Sequence, residues 1–361
     1  MPTRRWRAAS AVLTLLVLLA PACGGDDGSA SGSGPVPSSV GDGTDRELEG
    51  TTITVYSGRD EELVQPLIDR FEADTGITVE VRYGDSAEMA AQILEEGSET
   101  PADVFYSQEV GAVGALAKAD LMGRLPAEVL ERVDERFRPH EGTAWVGVTG
   151  RSRVIVYNPD LVDDPPESVL DLTDPQYEGQ VAWVPGNASF QSFVTAFRVT
   201  RGEDAARQWL EDMQANGVDG DYESNVDVLD AVSNGDIALG LINHYYWARA
   251  LPEVGGAENM GSRLIFPKGD DPGALVNATA VGVLAGAEDE SAAQAFVEYL
   301  LSEAGQSYFA EEVFEYPLVE GVDDPEGVPP LEELEGPAID LTDLDSLEET
   351  QSLLSEVGLI S

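Results

Sequence analysis

A chain of 361 residues with 68 acidic against 20 basic side chains carries a formal net charge of −48. That balance excludes a nucleic-acid surface and a polybasic membrane patch, both of which need clustered Lys and Arg. The length suits one large or two medium domains, and 42% hydrophobic residues is too many for a wholly disordered polymer. An acidic surface with only two lysines, Lys118 and Lys268, matches solubility in high salt, where self-repulsion is screened.

Residues 1–22 carry Arg4, Arg5 and Arg7, an apolar run from Ala11 to Ala20, and Pro21-Ala22 before the single cysteine, Cys23. A basic start, a short apolar stretch and small residues before a cut make a secretory signal, too short for a membrane-spanning helix. A cysteine directly after the cut resembles a bacterial lipoprotein signal, in which that thiol takes a diacylglycerol. Pro21 departs from the usual pattern, and a plain secretory signal is the alternative. Loss of three arginines and no acid would take the net charge from −48 to −51. Residues 23–48 form a Gly/Ser-rich acidic tether with almost no large apolar side chain.

The folded body begins near Thr51. Thr52–Tyr56 reads as a β-branched strand. A helix follows over 61–74, with Leu63, Leu67, Ile68 and Phe71 at helical spacing and Gly76 beyond its end. Ile77–Val81 alternates as a second strand. Ser86 to Glu96 is a helix with Ser86 as its expected cap, Ala102–Tyr106 is a third strand, and a helix runs over 110–119. This alternation predicts a parallel sheet with crossover helices. It returns with strand 181–184, helices 191–201, 203–216 and 226–233, and strand 237–242. After about Val319 the chain turns acidic and Pro/Gly-rich, ending in a helix over 346–357. The expectation is an α/β chain with two hinged lobes. Lobe 1 takes 49–148 and about 276–325. Lobe 2 takes 149–275 and about 326–361.

Open α/β sheets bind ligands at the carboxyl ends of their strands, so the loops after Tyr56, Tyr106, Val184 and Ile242 are the candidate site. The last of these reads Asn243-His244-Tyr245-Tyr246-Trp247. A phenolate is a hard anionic donor, and only a strong Lewis acid such as Fe³⁺ deprotonates a phenol at neutral pH. Local sequence leaves open whether these aromatics bind anything or simply pack.

The blocks ITVYSGRDEE (53–62), TPADVFYSQE (100–109), TGRSRVIVYN (149–158), NGDIALGLINHYYW (234–247), DPGALVNATAVGVL (271–284) and EYPL (315–318) stand in an order that resembles the ferric-ion-binding periplasmic proteins. These form the iron-transport branch of the substrate-binding proteins of ABC importers. The resemblance implies a periplasmic-binding-protein fold of two lobes, each a mixed, mostly parallel sheet flanked by helices. It implies Fe³⁺ as cargo, with Tyr245 and Tyr246 supplying two phenolates. Many members add a His and a carboxylate from the other lobe. Here the His position is Asp60 and the carboxylate position is Gln108, with Glu109 beside it, leaving an oxygen-only donor set. Many members also hold phosphate or carbonate on the metal. The matching positions are Gly186, Asn187, Ala188 and Ser189, then Asn225 and Asn243.

The partners implied are a membrane permease and its ATPase. The protein is expected to be a monomer, anchored through Cys23 on the extracytoplasmic face of the membrane. Nothing in the sequence points to an enzyme: it has no GxSxG or Walker A motif, and only His140 and His244 as histidines. The replaced His also leaves room for a small organic or oxyanion ligand, such as a polyamine, a phosphonate or a thiamine-like molecule, for import or sensing.

Overall fold

The computed structural model describes residues 48–337 and 339–360. The leader, Cys23 and the tether as far as residue 47 lie outside the described residues.

The first strands and helices form where the periodicity places them. Strand β1 (Thr52–Ser57) leads into the helix Glu61–Thr75, which buries Leu63, Val64, Leu67, Ile68 and Phe71. Gly76 stops that helix in the left-handed region at φ 72°, a conformation that costs glycine nothing. Strand β2 (Thr78–Tyr83) precedes the helix Ser86–Glu96. Asp85, not Ser86, caps this helix, its carboxylate accepting the N–H groups of Ala87 and Glu88. Ser86 Oγ is thereby free to accept the N–H of Gln108 at 2.9 Å. Strand β3 (Val104–Ser107) and the helix Val110–Lys118 complete the run.

Strand β4 (Val146–Tyr157) is long and buried almost throughout. Strands β5 (Val181–Ala182), β6 (Leu239–Asn243), β7 (Arg263–Ile265), β8 (Val276–Val283) and β9 (Tyr316–Pro317) follow. The order is β2-β1-β3-β8-β4-β6-β5, with β7 and β9 also paired to β4. Pairing is parallel for β1–β2, β1–β3 and β5–β6, and antiparallel where β3, β4, β8 and β6 meet. Strand β4 pairs with β8 along Val146–Ser152 and with β6 along Arg153–Tyr157. One strand thus crosses from the first sheet region to the second.

The apolar interior divides accordingly. One cluster gathers Ile53, Phe71, Phe105, Trp145, Val281 and Phe296. Two others, around Trp183, Phe193 and Trp209 and around Val154, Val228 and Trp247, fill the second lobe. Leu334, Leu341 and Leu344, expected with lobe 2, pack into the first cluster. The reason is close approach: a Cβ at Gly111 would stand 2.3 Å from the carbonyl oxygen of Leu344, so the helix Val110–Lys118 admits the tail backbone only where it lacks side chains. The final helix, Leu347–Glu356, buries Leu353 and Leu354 in the second lobe. Among the described residues, no helix is long and apolar enough to cross a membrane.

Candidate functional site

Four strand-end segments converge on an open cleft of about 1100 Å³ between the lobes. From the first lobe come Gly58, Asp60 and Gln108; from the second come Gly186, Asn187, Ala188 and Tyr246.

The turn after β1 buries Arg59 and exposes Asp60. It can pass so close to the helix Ser86–Glu96 only because residue 58 is glycine, since a Cβ there would fall 1.9 Å from Ser86 Oγ. Asp60 occupies the cap position of the next helix, but its side chain makes no capping hydrogen bond. That carboxylate is free to act in the cleft.

After β3, neighbouring residues part company, as they must along an extended chain. Gln108 faces the cleft, and its Oε1 accepts a hydrogen bond from Arg59 Nη1 at 2.6 Å. Glu109 turns inward. One of its oxygens accepts from Arg151 Nη2 at 2.9 Å and from Ser189 Oγ at 3.2 Å, and the other takes the amide of Asn277. Both oxygens are committed to the protein, which removes Glu109 from the expected donor set.

Strand β6 ends at Asn243, and the helix His244–Val254 begins at once. The first turn of that helix, not a strand, sets the direction of the tyrosines. Their rings lie 4.3 Å apart, inclined by 33°. Tyr246 reaches the cleft, whereas the hydroxyl of Tyr245 is fully buried with no protein hydrogen-bond partner. Burial, and then the neighbouring Tyr246, push the Tyr245 phenol well above its ordinary range, while Arg151 pulls the other way.

His244 is committed elsewhere. Its Nδ1 accepts the N–H of Ser152 at 3.2 Å, so Nε2 carries the proton and donates to the Phe314 carbonyl at 3.0 Å. Its ring stacks on Tyr316 at 4.5 Å. Burial, first among the causes, lowers its pKa to about 4, so the ring is neutral at pH 7.

Beneath the tyrosines lies a buried layer that local sequence signals only weakly: Arg59, Arg151 and Arg153 with Glu109 and Glu315. Arg59 pairs with Glu315 and Arg151 with Glu109. Arg153 has no carboxylate partner among the described residues. It donates to Asn243 Oδ1 at 3.3 Å and lies over the rings of Phe190 and Phe193. Burial, the largest cause, lowers its pKa to about 10, which leaves it charged at pH 7. Three guanidiniums against two carboxylates put one uncompensated positive charge beside two phenols. That charge lowers the cost of a phenolate or a small bound anion there.

The remaining anion-site candidates fall in two groups. Asn187 caps the helix Ala188–Arg201 by accepting the N–H of Ser189, while Gly186 and Ala188 line the cleft. Ser189 Oγ is tied to Glu109 and Arg151. Asn225, in the first turn of the helix Asn225–Asn234, is 1% exposed, and neither end of its amide has a protein partner. An idle buried amide is costly and suits a site that a ligand completes. Among the described residues, no three His, Cys, Asp or Glu side chains come together as a metal site.

Residues 99–336 match the family model described as bacterial extracellular solute-binding protein. The chain is 36% identical to the Fe(3+)-binding periplasmic protein of Serratia marcescens over 315 residues, covering 85% of this chain and 90% of that protein. It is 35% identical to the major ferric iron-binding protein of Neisseria meningitidis serogroup B over 310 residues, covering 85% and 93%. The chain belongs to the ferric-ion-binding periplasmic protein family. Among solved structures of similar proteins, iron-bound HitA from Pseudomonas aeruginosa has a TM-score of 0.79 at 36% identity, covering 86% of this chain and all of that one. Apo ferric ion-binding protein A from Pasteurella haemolytica has a TM-score of 0.75 at 26% identity, covering 86% and 99%. The two-lobe α/β fold expected from the sequence is the fold of this ferric-ion-binding family. Its named relatives are binding proteins.

Proposed function

We propose that this protein is the extracytoplasmic solute-binding component of an ABC importer, anchored through a lipid on Cys23, and that its cargo is ferric iron. The observation that carries the reading is the buried, unpartnered hydroxyl of Tyr245, whose ring lies 4.3 Å from that of Tyr246 at the cleft, above a layer with one excess positive charge. A phenol in such a place has no protein hydrogen bond to give up and stays neutral until a strong Lewis acid binds, and Fe³⁺ is hard enough to ionise it. The second lobe binds first through Tyr245 and Tyr246. Hinge closure then brings Asp60 to the metal from the other wall. Phosphate or carbonate completes the site near Asn225, Asn187 and the Gly186–Ala188 turn. The closed monomer delivers its cargo to a permease driven by an ATPase.

Ferric iron added as a labile chelate is expected to give a visible phenolate-to-iron charge-transfer band. Replacing both Tyr245 and Tyr246 with Phe should abolish colour and high-affinity binding together. A double variant that stays coloured and tight would overturn the assignment. Cys23→Ser should move the protein from the membrane fraction to the soluble one, and retention on the membrane would count against the anchor.

A further inference from the structure

The role of Gln108, the residue at the expected carboxylate position, follows from its neighbours. Arg59 is a donor with no acceptor atom, so the end of the Gln108 amide that faces it at 2.6 Å is the oxygen. The amide nitrogen is therefore the end left for the cleft that Gln108 lines. An –NH₂ group cannot ligate Fe³⁺, but it can donate a hydrogen bond to an oxygen that does.

The orientation is enforced from behind. Arg59 is buried and forks onto Glu315, with Nη2 at 2.9 and 3.0 Å from the two carboxylate oxygens. Glu315 also accepts from Thr149 Oγ1 on β4 at 2.5 Å, and Thr149 Oγ1 is 2.8 Å from Thr279 Oγ1 on β8. These are the strands at the lobe crossing. Phe314, held at φ 62°, presents its carbonyl to His244, the residue before Tyr245. Three consecutive residues, Phe314 to Tyr316, thus brace the base of the tyrosine pair on one wall and, through Arg59, the amide of Gln108 on the other. A buried ion pair contributes little net stability on average. Holding an amide in one of its two orientations is work for which such a pair is suited.

We infer that Gln108 is a hydrogen-bond donor to an exogenous oxyanion on the iron, not a metal ligand, and that Arg59 and Glu315 are positioning residues that keep its nitrogen toward the cleft. The inference rests on the ferric reading above. It makes the first-lobe wall selective for iron that arrives with an oxygen-rich anion, with Asp60, whose carboxylate makes no capping hydrogen bond, on the same wall.

The test uses the full-length protein, ferric iron, and either phosphate or carbonate as the anion, with affinity read by competition against a chelator. Gln108→Leu, a change at a half-buried cleft position, should weaken iron binding at least tenfold with the anion present and much less without it. The wavelength of the charge-transfer band should not move, because no iron ligand is lost. The neutral pair Arg59→Met with Glu315→Gln avoids leaving one buried charge unpaired. It should produce the same loss, and adding Gln108→Leu to it should cause no further loss. A band shift in Gln108→Leu at constant anion would mean that the amide oxygen ligates the metal and would overturn the inference. Additive losses would show that Arg59 and Glu315 act elsewhere and would overturn the positioning role. Absence of any band in the unaltered protein would instead defeat the ferric reading itself.

Discussion

Arg151 Nη2 donates to Glu109 Oε1 at 2.9 Å, and both side chains are almost wholly enclosed, at 2% and 9% exposure. The pair sits under the cleft and serves to hold β4 against the start of the helix Val110–Lys118. Glu109→Gln leaves the Arg151 charge buried without its partner, and unfolding in urea should register a loss of about 3–5 kcal/mol. The charge-transfer band of the iron-loaded variant should keep its wavelength. A stable variant with an altered band would restore Glu109 as a ligand.

Tyr245→Phe should split function from stability. The buried hydroxyl has no partner in the metal-free protein, so removing it should leave the fold unchanged or stabilise it by about 1 kcal/mol. Iron affinity should collapse. Calorimetric melting of the metal-free forms checks the first half, and a lower melting temperature for the variant would contradict it.

The neutral, buried His244 predicts a pH dependence of definite sign. Its folded pKa, about 4, lies below the ordinary value of 6.5. The unfolded chain therefore takes up a proton that the folded one refuses. The contribution is fully present above pH 6.5, declines as pH falls, and levels off below about 4, amounting to roughly 3 kcal/mol. His244→Gln should flatten the stability profile in that window. An unchanged profile would show that other groups control it.

Asn225→Ala removes an amide that has no protein partner at either end. Metal-free stability should change by less than about 1 kcal/mol, since the idle group costs nearly as much as it contributes. Phosphate or carbonate should no longer strengthen iron binding. Persistence of the anion effect would place the anion elsewhere.

Gly111→Ala tests the docking of the tail. The new Cβ would meet the Leu344 carbonyl at 2.3 Å, and the backbone must give way. A loss of about 1–3 kcal/mol is expected, with faster proteolysis after Leu341. Equal protease resistance would mean that the contact is dispensable.

The run from β1 to the helix Val110–Lys118 was legible because each element carries its own periodicity. Strand β4 was not legible as a strand. Thr149-Gly150-Arg151-Ser152-Arg153 has no alternating apolar pattern, and only long-range pairing with β8 and β6 makes it extended. The helix Ala188–Arg201 starts three residues before the expected Gln191 because Asn187 supplies the cap. At the site, the types of donor could be read but not which way they point. Gln108 and Glu109 are adjacent, and which of them faces the cleft depends on Arg59 and Arg151, each more than 40 residues away along the chain. The buried arginine layer was equally hidden, because burial of a charge shows only once its counter-ions are placed.

Strand β8 stands between β3 and β4. The first lobe therefore cannot close its sheet until β8, whose residues pair with β3 from Val104–Val283 to Ser107–Ala280, is available. Until then β3 offers an unpaired apolar edge, the kind of surface that recruits other chains. Contacts this distant in sequence slow folding. Each lobe is discontinuous along the chain, the first resuming at β8 and the second at the helix Leu347–Glu356, so neither lobe would mature as an independent fragment, and cutting the gene at the lobe boundary should produce aggregates rather than half-proteins.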